Sequence, residues 1–468
     1  MFKTVQEVQS AIKSGCSVTE ILDEYLLQIR KHEHLNAFVE VFEATARADA
    51  HRIQEKITKG IAGKLAGVVI GIKDNLCYKG HTVSASSRIL ENFTSLYTAT
   101  SVQRLLDEDA IIIGRLNCDE FAMGSSNETS AYGPVLNYLN PDFVPGGSSG
   151  GSAVAVAASL CTVALGSDTG GSVRQPASWT GTVGLKPTYG RISRYGLIAY
   201  ASSFDQVGVF ASDIDSASLI YSIMAGKDPL DATSSSKKVD APQNYPNQLR
   251  LGVIKDYMKL PGLDASVKSA FDSRVQKLIQ QGHEMREFSF PYLDYVVPVY
   301  YVLSTAEASS NLSRFDGVHF GKRSELAEGI DQTYINSRTE GFGLEVKRRI
   351  IIGTFVLSNE HYEAYYAKGQ KIRRLLHKAT KEMFSEVDCI ILPTTPSSAF
   401  KIGDIKDPVQ MYLQDIYTVH ANLTGNPAIN IPLSHNSNGM PFGIQLMADH
   451  FEEGLLFHAS RIVNNALV

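Results

Sequence analysis

Two glycine-serine runs set the tightest limits on how this chain can fold. They are Gly146-Gly147-Ser148-Ser149-Gly150-Gly151-Ser152 and, beyond one short apolar segment, Asp168-Thr169-Gly170-Gly171-Ser172-Val173-Arg174. Glycine suits places where backbone must approach a ligand closely or turn through positive φ. Each run presents a serine, Ser148 and Ser172, 24 residues apart. Between them residues 153–160 read as a helix and 162–165 as a buried strand. Upstream, residues 65–73 are apolar, β-branched and too glycine-rich for a helix, so they read as a strand ending on Lys73. Two serine turns joined by a helix and a strand, with a lysine ending an apolar strand, point to a hydrolase whose base is not histidine.

Competing motifs fail on context. The first run also satisfies Gly-x-Ser-x-Gly, the nucleophile elbow, which needs a strand directly before the serine. Residues 140–145 stand there instead, and Pro141 and Pro145 argue against a central strand. A phosphate-cradling loop would need Lys-Ser or Lys-Thr after its glycines, and none follows. A turn of purely structural purpose would account for either run alone, but poorly for two so joined. The twelve histidines fall in no catalytic or metal spacing.

Other segments alternate between the two periodicities. Ser17-Val18-Thr19-Glu20 fits a capping box, with Ile21, Leu22, Tyr25, Leu26 and Ile29 on one helical face behind it. Residues 99–109 read as a helix and 110–113 as a strand. After a polar loop over 233–248, residues 249–254 read as a strand. Asp264 caps a helix with Val267, Phe271, Val275 and Leu278 inward and Gly282 as its stop. Residues 387–392 and 428–431 read as further buried strands. The expected architecture is α/β, a large twisted mixed sheet covered by helices on both faces, with the second half continuing the same sheet. Lys368, Lys371, Arg373, Arg374, Lys378 and Lys381 read as a solvated helical face, with tRNA or partner contact as the alternative.

Composition narrows the setting. Net charge is −5, so the chain as a whole is no electrostatic match for nucleic acid. Five scattered cysteines without metal-ligand spacing fit a reducing compartment better than a disulfide framework or zinc site. The apolar run 153–165 is too short to span a bilayer, and the first residues lack a signal-peptide apolar stretch. A cytoplasmic protein without membrane contact is expected, or one of the organellar matrix if the source is eukaryotic.

The segment 67–194 resembles the signature region of the amidase signature family, hydrolases built on a Ser–cis-Ser–Lys triad. The resemblance rests on Ile72-Lys73-Asp74, the two glycine-serine runs and Gly184-Leu185-Lys186-Pro187-Thr188. It implies Ser172 as nucleophile, Ser148 as bridging serine and Lys73 as base, with backbone N–H groups of Thr169, Gly170, Gly171 and Ser172 as the oxyanion hole. The chemistry suits those types, because a serine needs a base to become nucleophilic, and lysine serves once desolvation lowers its pKa. Asp168, Arg174 and Asp74 read as braces.

Over nearly its full length, residues 1–468 read as one amidase domain similar to the glutaminase subunits of tRNA-dependent amidotransferases. Asp119-Glu120-Phe121-Ala122-Met123-Gly124, Tyr189-Gly190-Arg191-Ile192-Ser193-Arg194 and Met411-Tyr412-Leu413-Gln414-Asp415 carry that similarity, with Gly341-Phe342-Gly343-Leu344-Glu345. It implies glutamine as amide donor, with Arg349 on the α-carboxylate, Asp415 on the α-ammonium and Tyr300 in the pocket wall. Arg348 and Tyr301 are adjacent alternatives. It further implies two companions, the B and C subunits of the amidotransferase. Of these, B would hold the tRNA, ATP and Mg²⁺, leaving neither metal nor cofactor on this chain. A free-standing amidase for small or acyl amides is the other reading.

Overall fold

In the computed structural model, residues 1–239 and 245–465 are described. The lysine-terminated strand forms over Val69–Lys73 (β2), every residue of it buried. It lies parallel between β3 (Ile111–Leu116) and β4 (Val163–Asp168). Parallel strands need crossovers, and short helices supply them: Thr100–Asp107 in the connection from β2 to β3, and Gly150–Ala157 in the connection from β3 past β2 to β4. All three strands are buried along their whole length, as expected of parallel strands covered on both faces.

Among the described residues the sheet has eleven strands. Alongside these run β1 (Phe38–Val41), β5 (Val183–Lys186), β6 (Gln206–Ala211), β7 (Arg250–Ile254), β8 (Glu284–Phe288), β9 (Cys389–Pro393), β10 (Ala428–His435) and β11 (Pro441–Ala448). Their order is β1-β3-β2-β4-β6-β5-β10-β11-β9-β7-β8. The antiparallel pair β5–β10 joins the first half of the chain to the second, so the later strands continue the same mixed sheet. The Ser17 capping box is present, and its helix, Val18–Lys31, buries the apolar face the spacing predicts. The described parts of the loop over 233–248 carry no helix or strand; residues 240–244 lie outside the described residues.

Two differences from the sequence expectation have simple causes. β1, β5, β6, β8 and β11 are additional strands; β5, β6 and β11 are buried throughout, which removes the alternation that marks a half-exposed strand. Arg373 turns inward from the basic helix, now Lys368–Phe384, donating to the Leu423 carbonyl at 2.9 Å with its guanidinium 4.1 Å from the centre of the Phe204 ring. A long aliphatic stem lets a cation cross an apolar layer to reach such acceptors.

Candidate active site

Because β2 and β4 are parallel neighbours, their carboxyl ends lie side by side, where ligands bind in open α/β sheets. Lys73 ends β2, and Ser167 and Asp168 end β4. Ser149 is the N-cap of the Gly150–Ala157 helix, and Ser148 precedes it after a cis Gly147–Ser148 peptide. Lys73 is fully buried, and its Nζ donates to Ser148 Oγ at 2.7 Å, Ser149 Oγ at 2.9 Å and Ser167 Oγ at 3.0 Å. It forms no ion pair among the described residues. Burial pushes its ammonium down to about 8, against the opposing pull of Cys118, Asp119, Asp168 and Asp205. Asp74 faces elsewhere, paired with Arg115 at 2.9 Å and accepting from the Ser84 and Ser86 amides.

The two glycine-serine runs meet: the Ser149 N–H donates to the Ser172 carbonyl at 3.2 Å. Asp168 braces the second turn from beneath, accepting from the Gly171 N–H at 2.8 Å and the Val173 N–H at 3.2 Å. Burial alone would raise the Asp168 carboxyl, but fully buried Arg174, 3.0 Å away, more than reverses this and holds it at about 2. Gly171 has φ +132, and a Cβ there would sit 2.1 Å from Thr418 Oγ1, so glycine is required twice over. The expected set of four oxyanion donors is thereby reduced. Gly171's N–H is committed to a carboxylate, while those of Thr169, Gly170 and Ser172 find no acceptor among the described residues. The Ser172 hydroxyl likewise makes no hydrogen bond among them.

A second wall comes from the other half of the chain. Tyr300 lies in the helix Leu293–Asn311 and packs its ring on Gly170, where a Cβ would be 2.5 Å from the phenol oxygen. Arg349, in the helix Leu344–Leu357, is 3% exposed. It donates to Glu345 Oε1 and to the Tyr200 hydroxyl, both at 2.9 Å, with the rings of Tyr200, Tyr301 and Tyr412 around its guanidinium at 5.4 to 5.5 Å. Neighbouring Arg348 is half-buried and pairs with Glu345, so of the two arginines Arg349 is the one fully enclosed. Asp415 accepts from Ser125 Oγ at 2.6 Å, and burial pushes its carboxyl up to about 7 although Arg349 pulls it down. Tyr301 stacks on Tyr412 with centroids 4.0 Å apart, and its buried hydroxyl has no partner among the described residues. Both tyrosines of the Tyr300/Tyr301 pair therefore border this space.

Sequence reasoning missed Ser149 and Ser167 around Lys73, and Glu345, Tyr200 and Tyr412 around Arg349. The β2–β4 register, which pairs Ile72 with Leu165, is the signal that places Ser167 near Lys73. Tyr200 and Tyr412 carry no comparable local signal. Among the described residues no group of three or more His, Cys, Asp or Glu is placed to hold a metal, and no helix is long and apolar enough to cross a membrane.

The amidase family model matches residues 20–457. The chain belongs to the amidase family. Over its full length it is 47% identical to the A subunit of glutamyl-tRNA(Gln) amidotransferase from Chlorobium phaeobacteroides, covering all of that protein. It is 49% identical to the corresponding protein of Chlorobium limicola, over 97% of this chain and 98% of the relative. The crystal structure of the Thermotoga maritima counterpart superposes with a TM-score of 0.78 at 37% identity, covering 96% of this chain and 94% of that one. The mixed sheet with its surrounding helices is thus an amidase fold, and β2, β4 and the two glycine-serine turns lie within the matched residues.

Proposed function

We propose that this amidase-family chain is a glutaminase subunit that supplies ammonia for converting Glu-tRNA(Gln) to Gln-tRNA(Gln), with Asp-tRNA(Asn) as a second possible acceptor. One observation carries the substrate assignment: buried Arg349 lies against the Tyr301 ring, next to the Tyr300 that packs on Gly170, and buried Asp415 is tied to the same turn by Thr418, whose hydroxyl donates to both the Asp415 and Gly170 carbonyls. Free glutamine carries the matching α-carboxylate and α-ammonium, and a charged ligand needs such partners when it leaves water. The names of the full-length relatives agree with this reading.

In this proposal Ser172 Oγ attacks the side-chain amide carbon while its proton passes through Ser148 to neutral Lys73. The oxyanion meets the uncommitted N–H groups of Thr169, Gly170 and Ser172, with Gly171 holding the turn through Asp168. Collapse expels ammonia with the returned proton, and water then cleaves the acyl-serine to release glutamate. Residues 1–468 act as one domain in the cytoplasm beside the B and C subunits. ATP, Mg²⁺ and the tRNA bind the former of these two companions.

Kinetics with glutamine and with a simple neutral amide, for the chain alone and with both companions, ATP and Glu-tRNA(Gln), test the proposal. Preference for glutamine, coupled to amidation in the complex, is expected. If the chain alone prefers the simple amide and the complex adds nothing, it is a free-standing amidase. A glutamine-derived electrophile should label the peptide containing Ser172; labelling of Ser148 would exchange the two serines' roles.

A further inference from the structure

The helix that carries Arg349 is apolar on both sides. Inward it buries Val346, Arg349, Gly353 and Val356. Outward it exposes Ile351 (69%), Ile352 (37%) and Phe355 (46%). Its rotation is fixed: a Cβ on Gly353 would lie 1.9 Å from the Thr305 carbonyl, so the helix backbone sits directly on the Leu293–Asn311 helix and cannot roll its outer face inward. Isoleucine is a mediocre helix former, so two adjacent exposed isoleucines gain nothing from local propensity. Helices apolar all round are normally covered, and contiguous exposed apolar surface marks interaction sites.

The patch continues into a row of cations. Phe355 packs against His361 at 3.9 Å and Tyr365 at 5.6 Å between ring centroids. Tyr365 is itself exposed and belongs to the π-helical turn Glu363–Ala367, which runs straight into the Lys368–Phe384 helix. Lys368, Lys371 and Arg374 follow at helical spacing on its exposed side, and none forms an ion pair among the described residues. Farther along, Lys378 and Lys381 have carboxylate partners, and Glu360 and Glu363 flank the aromatic end.

We infer that this face, from Ile351 and Phe355 through Tyr365 to Lys368 and Lys371, is the docking surface for an acidic amphipathic segment of a companion protein. The occupant would lay apolar side chains on the helix and aromatic turn and set carboxylates against the uncompensated cations. A second copy of this chain fits poorly, since it would bring the same cations together. Only a short row of cations adjoins the patch, on a chain whose net charge is −5, which weighs against RNA. The inference rests on the proposal that the chain works with the B and C subunits, and it places that contact on the reverse side of the helix whose inner face holds Arg349.

The test is assembly of this chain with those two companions from the same genome, followed by light scattering and by Kd measured at several salt concentrations. Ile351→Asp combined with Phe355→Asp should weaken binding at least tenfold. Lys368→Glu combined with Lys371→Glu should weaken it several-fold and flatten its salt dependence, and Ile351→Ser serves if the aspartates disturb folding. Each isolated variant should keep the wild-type circular dichroism. If wild-type chain assembles and the variants assemble equally well, the surface assignment is wrong while the amidotransferase reading stands. If the wild-type chain does not assemble, both fail. Loss of a homodimer, or of tRNA binding with assembly intact, would identify a different occupant and overturn the inference.

Discussion

Lys73 and Arg349 are both cations buried to within a few per cent of complete exclusion, yet their surroundings are opposite. Among the described residues Lys73 is met by three neutral hydroxyls and no ion-paired carboxylate, and burial drives it towards its uncharged form. Arg349 is met by Glu345, the Tyr200 hydroxyl and three aromatic faces, and although burial works against its charge, those groups more than restore it. Hydroxyls accept a hydrogen bond without stabilising a positive charge as a carboxylate does, so the first site favours a base and the second a permanent anion receptor. The difference lies in the partners, since both groups are buried.

The strongest way to break this comparison is to remove the base. Lys73→Ala should lower kcat/KM for glutamine by about 10³-fold, within the range general bases contribute. Lys73→Arg should do no better, because guanidinium stays protonated. Near-normal turnover in either variant would take lysine out of the mechanism.

Stability sharpens the same point. Lys73 falls from 10.5 to about 8 on folding, so at pH 7 its charged form costs the folded state roughly 3 kcal/mol. Between about 8 and 10.5 the unfolded chain binds more protons, so stability rises with pH and the cost fades. Lys73→Met should therefore unfold at a higher temperature than wild type at pH 7, with the gap closing as pH passes 8. A pH-independent gap would mean the lysine is not held in a charge-averse site.

The Arg349 side should respond through substrate binding. Arg349→Ala should weaken glutamine binding by about 2 kcal/mol, roughly 30-fold, by leaving the α-carboxylate unpaired. Turnover of a neutral amide without that carboxylate should change little. Equal losses for both substrates would assign Arg349 to holding the pocket together.

The smallest effect separates the regions by pH. With glutamine, kcat/KM should climb as Asp415 ionises near 7 and as Lys73 loses its proton near 8. With the neutral amide only the Lys73 step should remain, so below about pH 7 its log kcat/KM should fall with unit slope where that of glutamine falls more steeply. Coincident profiles would show that Asp415 does not meet the substrate's ammonium.

Parts of the molecule were readable in the order in which they are encoded. The Ser17 box, the Asp264 cap and the strands ending at Lys73 and beginning near 250 follow from periodicity and capping, which act over a few residues. Lys73, Ser148 and Ser172 stand in motifs whose glycines announce close-packed turns. Reading donors off a motif works less well: Gly171 belongs to the expected oxyanion set, but its N–H points to Asp168.

By itself the sequence determined the α/β class, the two serine turns, the apolar strand beneath Lys73 and membership in the amidase family, because each is written in local spacing or in full-length similarity. Only the tertiary structure decided which of Arg348 and Arg349 turns inward and which aromatic rings surround it. It alone also set Ser149 and Ser167 beside Ser148 on the lysine and made the face of Ile351 and Phe355 an outer one. Adjacent helix positions differ by about 100°, so a single residue's shift exchanges inside for outside, and that choice is made by packing. Here it is fixed where Gly353 meets the Thr305 carbonyl, on a helix brought there from more than forty residues away in the chain.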